Sequence, residues 1–129
     1  MPKNKDKYIL AIDLGTSGPK SALVSTRGEV IDFAFVENSL HLLPDGGAEQ
    51  DPEEWWQSIL ETFKVILNKK LVPNEDIIAI SCSTQWSGTV AVDKNGDHLT
   101  NALIWLDSRG SEYVKEISEI GRASCRGRV

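Results

Sequence analysis

The stretch YILAIDLGTSGPKSALV, residues 8–24, leaves little choice of local structure. An apolar run of strand length, 8–14, meets two glycines and two hydroxyl residues, and a second β-rich run, 21–25, follows at once. A link this short holds no crossover helix, so the two runs are antiparallel neighbours. Thr26-Arg27-Gly28-Glu29 is a further turn with glycine where a positive φ is tolerated, and 30–36 is a third strand. Whatever else the chain builds must include this three-stranded meander.

A polar loop follows over 38–50, containing Pro44-Asp45-Gly46-Gly47. Asp51-Pro52-Glu53-Glu54 then announces a helix: Asp51 as cap, Pro52 in the first turn, Glu54 closing a capping box. Trp56, Ile59, Leu60, Phe63, Ile66 and Leu67 recur at helical spacing and predict one apolar face. Lys69 and Lys70 suit the C-terminal end, and Pro73 stops the helix. Residues 77–81 predict a fourth strand buried on both faces, with Cys82 beside it as a small buried thiol. Residues 89–92 predict a fifth, Asp93-Lys94-Asn95-Gly96 a hairpin turn, and 103–106 a short sixth. A helix is expected from Ser108 onward, through Tyr113, Val114 and Ile117. A meander followed by a strand–helix–strand crossover is an α/β arrangement with a mixed sheet.

Composition excludes several classes. A hydrophobic fraction of 40% and a charged fraction of 26% over 129 residues suit a soluble globular domain. Apolar runs are strand-sized, so none spans a bilayer, and MPKNKDK lacks the apolar stretch of a signal peptide; the cytoplasm is the expected compartment. A net charge of −5 argues against a nucleic-acid partner. Cys82, Cys125, His41 and His98 make no metal-ligand spacing.

The first turn holds more chemistry than a bend needs. Gly15 and Gly18 on their own read as a plain turn. Asp13 at the strand end suits a hydrated divalent cation, Thr16 and Ser17 offer hydroxyls and backbone N–H groups, and Lys20 adds positive charge. Donors around a cation site describe a phosphate cradle. Neither G-x-x-x-x-G-K-[ST] nor a helix-opening G-x-G-x-x-G is present. On the residues alone, both the plain turn and the phosphate cradle stand.

Asp13-Leu14-Gly15-Thr16-Ser17 followed by Lys20 resembles the first phosphate motif of the FGGY carbohydrate kinases, members of the actin-like, hexokinase-like ATPases with a ribonuclease H-like core. GGAEQDPEEWW (46–56) resembles the family's lead into its first long helix. ISCSTQWSGTVAVDKNGDHLTNALIWLDSRG (80–110) resembles its substrate-side stretch, ending in a W-x-D-x-R element at Trp105, Asp107 and Arg109. The three occur in family order and cover residues 8 to about 119.

The resemblance implies ATP-dependent phosphorylation of a sugar or polyol hydroxyl, xylulokinase-like in broad pattern, with ATP and Mg2+ as cofactors. It implies that Asp13 helps hold the metal, and that Gly15, Thr16, Ser17 and Lys20 contact the phosphates. Pro19 departs from the pattern and removes one backbone donor from the loop. Gln85, Trp86, Ser87, Asp107 and Arg109 are the implied sugar-side residues. Glycerol-specific members resemble Gln-Arg-Glu at 85–87 and xylulose-specific ones Gln-Met-His-Gly at 85–88, whereas this chain has Gln-Trp-Ser-Gly. Trp86 is either a cover for a sugar ring or a core tryptophan. Asp107 and Arg109 either border the pocket or form a solvent-facing pair. Trp55 and Trp56 are assigned to core and rim, and Glu49 and Asp51 to loop and cap.

The family's general base is an aspartate further along, so no catalytic residue is expected in this chain. Residues 1–119 are expected to be the N-terminal part of the first kinase domain, a truncated and inactive piece, and the complete protein a homodimer. IGRASCRGRV (120–129) closely resembles one reading frame of a common sequencing adapter, apart from Gly127, and is expected to be non-native. The competing function is a non-catalytic nucleotide- or sugar-binding module of the same fold. The expected partner is a small sugar or polyol, with neither nucleic acid nor membrane.

Overall fold

A computed structural model describes residues 6–114. The expected meander is present as β1 (Tyr8–Gly15), β2 (Gly18–Ser25) and β3 (Val30–Phe35). The strand after the helix (β6 below, Ile77–Thr84) lies parallel to β1, giving the order β3-β2-β1-β6 in a mixed sheet.

Helix α1 (Pro52–Leu67) starts where the local signals place it. Asp51 is the cap, its Oδ1 accepting the Glu53 N–H at 2.8 Å, and proline occupies the first turn. Glu54 does not close a capping box. Its Oε1 accepts the Ser39 backbone N–H and hydroxyl, each at 2.9 Å, and so ties the incoming loop to the helix.

The helix lies across β2 and β3 and buries Ser58, Ile59, Thr62 and Ile66. Leu10, Leu23, Ala34 and Ile66 form the core, with Tyr8, Phe63, Leu67, Val72 and Ile77 packed around it. Fully burying a side chain of the size of Leu23 or Ile66 stabilises by about 1.5–3 kcal/mol. Thr62 donates to the Ile59 carbonyl at 2.7 Å, so the 2.6 Å contact between the Ser21 and Thr62 hydroxyls runs from Ser21 to Thr62. Trp56, expected on the apolar face, points to solvent.

The other face of the sheet is open. Ile31, Phe33 and Phe35 alternate outward along β3, beside Asp13 and Lys20. The expectation that 77–81 is buried on both faces fails, since every residue of β6 after Ile77 is exposed. The strand is at the sheet edge among the described residues, and α1 lies mainly over β2 and β3, so the apolar run beyond Ile77 meets no cover among the described residues. Cys82 is accordingly exposed, not a buried thiol.

The 38–50 segment, expected as loop, supplies two short strands, β4 (His41–Leu42) and β5 (Ala48–Gln50), which pair with β7 (Ala102–Leu103) in a second small sheet. The expected strands 89–92 and 103–106 reduce to β7 and two isolated bridges, Thr89 to Leu103 and Val92 to His98. The turn at Asp93 to Gly96 forms as expected, with Gly96 at φ +93°. The helix expected from Ser108 is described only as a 3-10 turn, Ser111–Tyr113; its continuation and residues 120–129 lie outside the described residues. Among the described residues no helix is long and apolar enough to cross a membrane.

Candidate functional site

The β1–β2 corner turns through Thr16 and Ser17, with Gly15 opposite Gly18. Gly18 sits at φ +134°, and a Cβ there would lie 2.0 Å from the Val36 carbonyl oxygen. The corner therefore needs glycine for its conformation and for the close approach of the chain beneath it. Pro19 is buried opposite Leu14, and its carbonyl accepts the Val36 N–H at 3.3 Å, so the corner closes without the missing donor. The Ser17 carbonyl is taken by the Asn38 N–H at 3.0 Å.

Because β6 runs parallel to β1, its C-terminal end emerges beside this corner, where open sheets of this kind place ligands. The Gln85 N–H extends the ladder to the Leu14 carbonyl at 2.8 Å. From there Thr16 Oγ1 donates to Gln85 Oε1 at 3.1 Å, and Trp105 Nε1 donates to Thr16 Oγ1 at 2.9 Å. Gln85 Nε2 donates to Gln50 Oε1 at 3.0 Å, which also receives Trp55 Nε1 at 3.3 Å. Gln50 Nε2 donates to the Thr16 carbonyl at 2.8 Å and the Ser39 carbonyl at 3.1 Å. Gln50 is 0% exposed, with its whole amide satisfied. A small cavity of about 140 Å3 lined by Leu14, Trp55, Thr84, Gln85, Gly88 and Val90 opens beside this cluster.

Asp107 and Arg109 form neither a free surface pair nor an isolated one. Arg109 Nη2 donates to Asp107 and, at 2.7 Å, to Glu49 Oε1, and Asp107 Oδ2 accepts the Ala48 N–H at 3.0 Å. The clamp fastens the segment after β7 to β5. A Cβ at Gly47 would lie 2.9 Å from Arg109 Cζ, so that glycine lets the guanidinium lie against the backbone. The Arg109 side chain, then the Ala48 N–H, hold the Asp107 carboxyl down at about 2 from an ordinary 3.8. Asp107 and then Glu49 push the Arg109 pKa up. At neutral pH the group is a fixed set of charges, and Asp107 has no proton to give.

Asp13 and Lys20 face each other on the open side of the sheet, Nζ to Oδ2 3.9 Å, with the ammonium 5.6 Å from the Phe35 ring centre. Together with Ala11, Ala22 and Phe33 they line a hollow of about 330 Å3. No cluster of three or more metal-binding side chains occurs among the described residues. A single exposed carboxylate fits Mg2+ that keeps most of its shell as water and phosphate, and does not fit a protein-caged ion. A wider hollow of about 510 Å3 lies beside Leu67 to Asn74, at the other end of α1 from the Gln50 cluster.

Of the sequence-predicted residues, Thr16 and Gln85 meet directly. Asp107 and Arg109 join the cluster through β5 and through Trp105, two residues before Asp107. Trp86 is 84% exposed and lies outside the core formed by the described residues, and Ser87 takes φ +60°. Gln50, Trp55 and Glu49 were missed as site residues. EQDP reads locally as a helix lead-in, and nothing in its pattern shows that the glutamine turns inward.

The N-terminal domain of the FGGY family of carbohydrate kinases matches the chain over residues 8–126. A glycerol kinase of Alteromonas mediterranea is 38% identical over 114 residues, 88% of this chain and 23% of that protein. A xylulose kinase of Staphylococcus xylosus is 35% identical over 112 residues, 87% of this chain and 23% of that protein. Among solved structures, the gluconate kinase from Lactobacillus acidophilus superposes with a TM-score of 0.80 at 27% identity, covering 93% of this chain and 24% of that one. The ligand-bound xylulose kinase from the same species gives 0.79 at 27% identity, covering 92% and 24%. The fold is thus the ribonuclease H-like, actin/hexokinase-type α/β fold. The chain spans 23% of the length of these curated relatives.

Proposed function

We propose a function on the premise that the chain belongs to the FGGY family of carbohydrate kinases: it carries the phosphate corner and part of the acceptor side of an enzyme that transfers the γ-phosphoryl group of ATP to a sugar or polyol hydroxyl. The observation that carries this reading is the 3.1 Å hydrogen bond from Thr16 to Gln85. It joins the turn that resembles a phosphate cradle to the loop that resembles a sugar contact. In phosphoryl transfer those two ligands must meet, and alignment and charge neutralisation do most of the work.

In this reading the backbone of Gly15, Thr16 and Ser17 presents N–H groups to the phosphates, and Lys20 adds charge. Asp13 holds the hydration shell of Mg2+, which when bound offsets the negative charge of the phosphates. Gln85 and Ser87 contact acceptor hydroxyls, and Trp86 lies over the acceptor as an apolar cover. The Asp107–Arg109–Glu49 clamp keeps Trp105 and β5 in place at the border of the pocket. Because the resemblance puts the general base outside this chain, the test is binding. Amide and indole resonances of the 15N-labelled chain are followed while Mg-ATP, D-xylulose, glycerol or gluconate is added. Mg-ATP is expected to move Thr16 and Ser17, and an acceptor to move Gln85 to Gly88 and the Trp86 indole. Resonances that stay fixed with every ligand would refute the reading in favour of a fold without this site.

A further inference from the structure

We infer that Gln50 is a positioning residue that, through Gln85, turns the Thr16 hydroxyl into an acceptor, so that its side chain receives a substrate alcohol O–H and the phosphates are left to the backbone N–H groups of the corner.

The direction of each bond follows from groups that have no choice. One end of the buried Gln50 amide lies 2.8 Å from the Thr16 carbonyl and 3.1 Å from the Ser39 carbonyl. Carbonyls only accept, so that end is the NH2. The other end is then oxygen, which agrees with its neighbour Trp55 Nε1, an atom that only donates. Gln85 lies 3.0 Å from this oxygen and must show it an N–H. The Gln85 oxygen therefore points to Thr16 and takes its only proton at 3.1 Å. Trp105 donates into one Thr16 lone pair at 2.9 Å.

A hydroxyl has one donor and two acceptor positions. Among the described residues the donor and one acceptor position of Thr16 are filled, and one lone pair is left. A phosphate oxygen needs a donor and gains nothing from that lone pair. An alcohol O–H does. Thr16 is half-buried, so the position is reachable, and Gln50 grips the same residue by its backbone carbonyl. The hydrogen-bond directions stand without any ligand; the identity of the alcohol as a sugar or polyol rests on the function proposed above.

The test reads the tryptophan indole N–H resonances of the whole chain in Gln50→Met and Gln85→Met. Among the described residues Trp105 and Gln50 share no direct hydrogen bond. If the polarity passes along the relay, Gln50→Met moves both the Trp55 and the Trp105 indole, and Gln85→Met moves Trp105, while Trp86 stays in place. A role confined to local packing would move Trp55 alone in the first variant and leave Trp105 unmoved in the second, and that result overturns the relay. Gln85 is only half-buried, so its variant decides the matter should Gln50→Met not fold. Ligand choice is read by titration with D-xylulose, glycerol and inorganic phosphate. Thr16→Val is expected to weaken binding of the polyol that binds the unaltered chain by about tenfold, to leave phosphate binding unchanged, and to be rescued in Thr16→Ser. Phosphate affinity falling in step with polyol affinity overturns the acceptor role. If the unaltered chain binds neither, the proposed function fails and the alcohol with it, while the Trp105 shift still tests the hydrogen-bond directions.

Discussion

Trp105 donates its indole N–H to the Thr16 hydroxyl across 2.9 Å, joining two residues 89 positions apart in the chain. The bond closes the segment after β7 over the β1–β2 corner. Trp105→Phe keeps an aromatic body and removes the donor. The expected loss is about 1 kcal/mol of folding stability, the net value of one neutral hydrogen bond, read as a lower urea midpoint with an unchanged slope. A larger loss would mean that the indole packs as well as bonds.

Acid should loosen the second sheet before the first. Asp107 titrates at about 2 in the folded chain against 3.8 in its unperturbed state. A depressed carboxylate contributes stability that is complete above its unfolded pKa and is lost as pH falls through the folded one. The contribution of Asp107 is therefore expected to be full above about pH 4 and to vanish towards pH 2. Thermal melts across this window should show a falling midpoint in the unaltered chain and a flatter profile in Asp107→Asn. That variant should also be less stable at pH 7, because Arg109 and the Ala48 N–H lose their charged acceptor.

The meander, α1 and the presence of a strand after the helix were legible because their signals are local: alternation in β2, a glycine at each turn, an Asp-Pro cap, an apolar run beyond Pro73. The second sheet was not. β4 and β7 are two residues long and β5 three, too short to show a period, and only long-range pairing makes them strands. The apolar run at 77–81 implied burial, but apolarity does not say where in a sheet a strand falls, and among the described residues β6 falls at the edge. Glu54 satisfied the capping-box spacing yet found a better-placed partner in Ser39, which only the fold brings near. In the site, Thr16, Gln85 and Trp105 could be found from motif resemblance. Gln50 could not, because a glutamine between Glu49 and Asp51 reads as surface until the chain has closed around it.

Two glycines with similar backbone sign should respond very differently to alanine. Gly18 has φ +134° and a Cβ position 2.0 Å from the Val36 oxygen; Gly28 has φ +88° and open space around it. Gly28→Ala is expected to cost about 1 kcal/mol, the penalty of a left-handed L-residue. Gly18→Ala adds a backbone clash that no side-chain rotation relieves. It should cost more, shift the Val36 and Asn38 amide resonances, and disturb the corner where phosphate is proposed to bind. Equal costs at the two positions would show that the 36–38 segment yields easily.

The two faces of the main sheet should separate folding from self-association. Leu23 on β2 is buried in the core with Leu10, Ala34 and Ile66, and Leu23→Ala is expected to cost about 2–5 kcal/mol. Phe33 is 70% exposed on the face that nothing covers among the described residues, in line with Ile31 and Phe35. Uncovered apolar area of this kind drives association, so the chain should elute from a sizing column at a volume that moves earlier as concentration rises. Phe33→Lys removes apolar surface without opening a cavity. It should leave the urea midpoint within about 0.5 kcal/mol of the original and shift elution towards the monomer. Monomeric elution of the unaltered chain at high concentration, with a cooperative melt, would show that the open face does not drive association. Association that persists in Phe33→Lys would point to the edge of β6, where Ile78 and Ile80 stand exposed and no further strand pairs among the described residues.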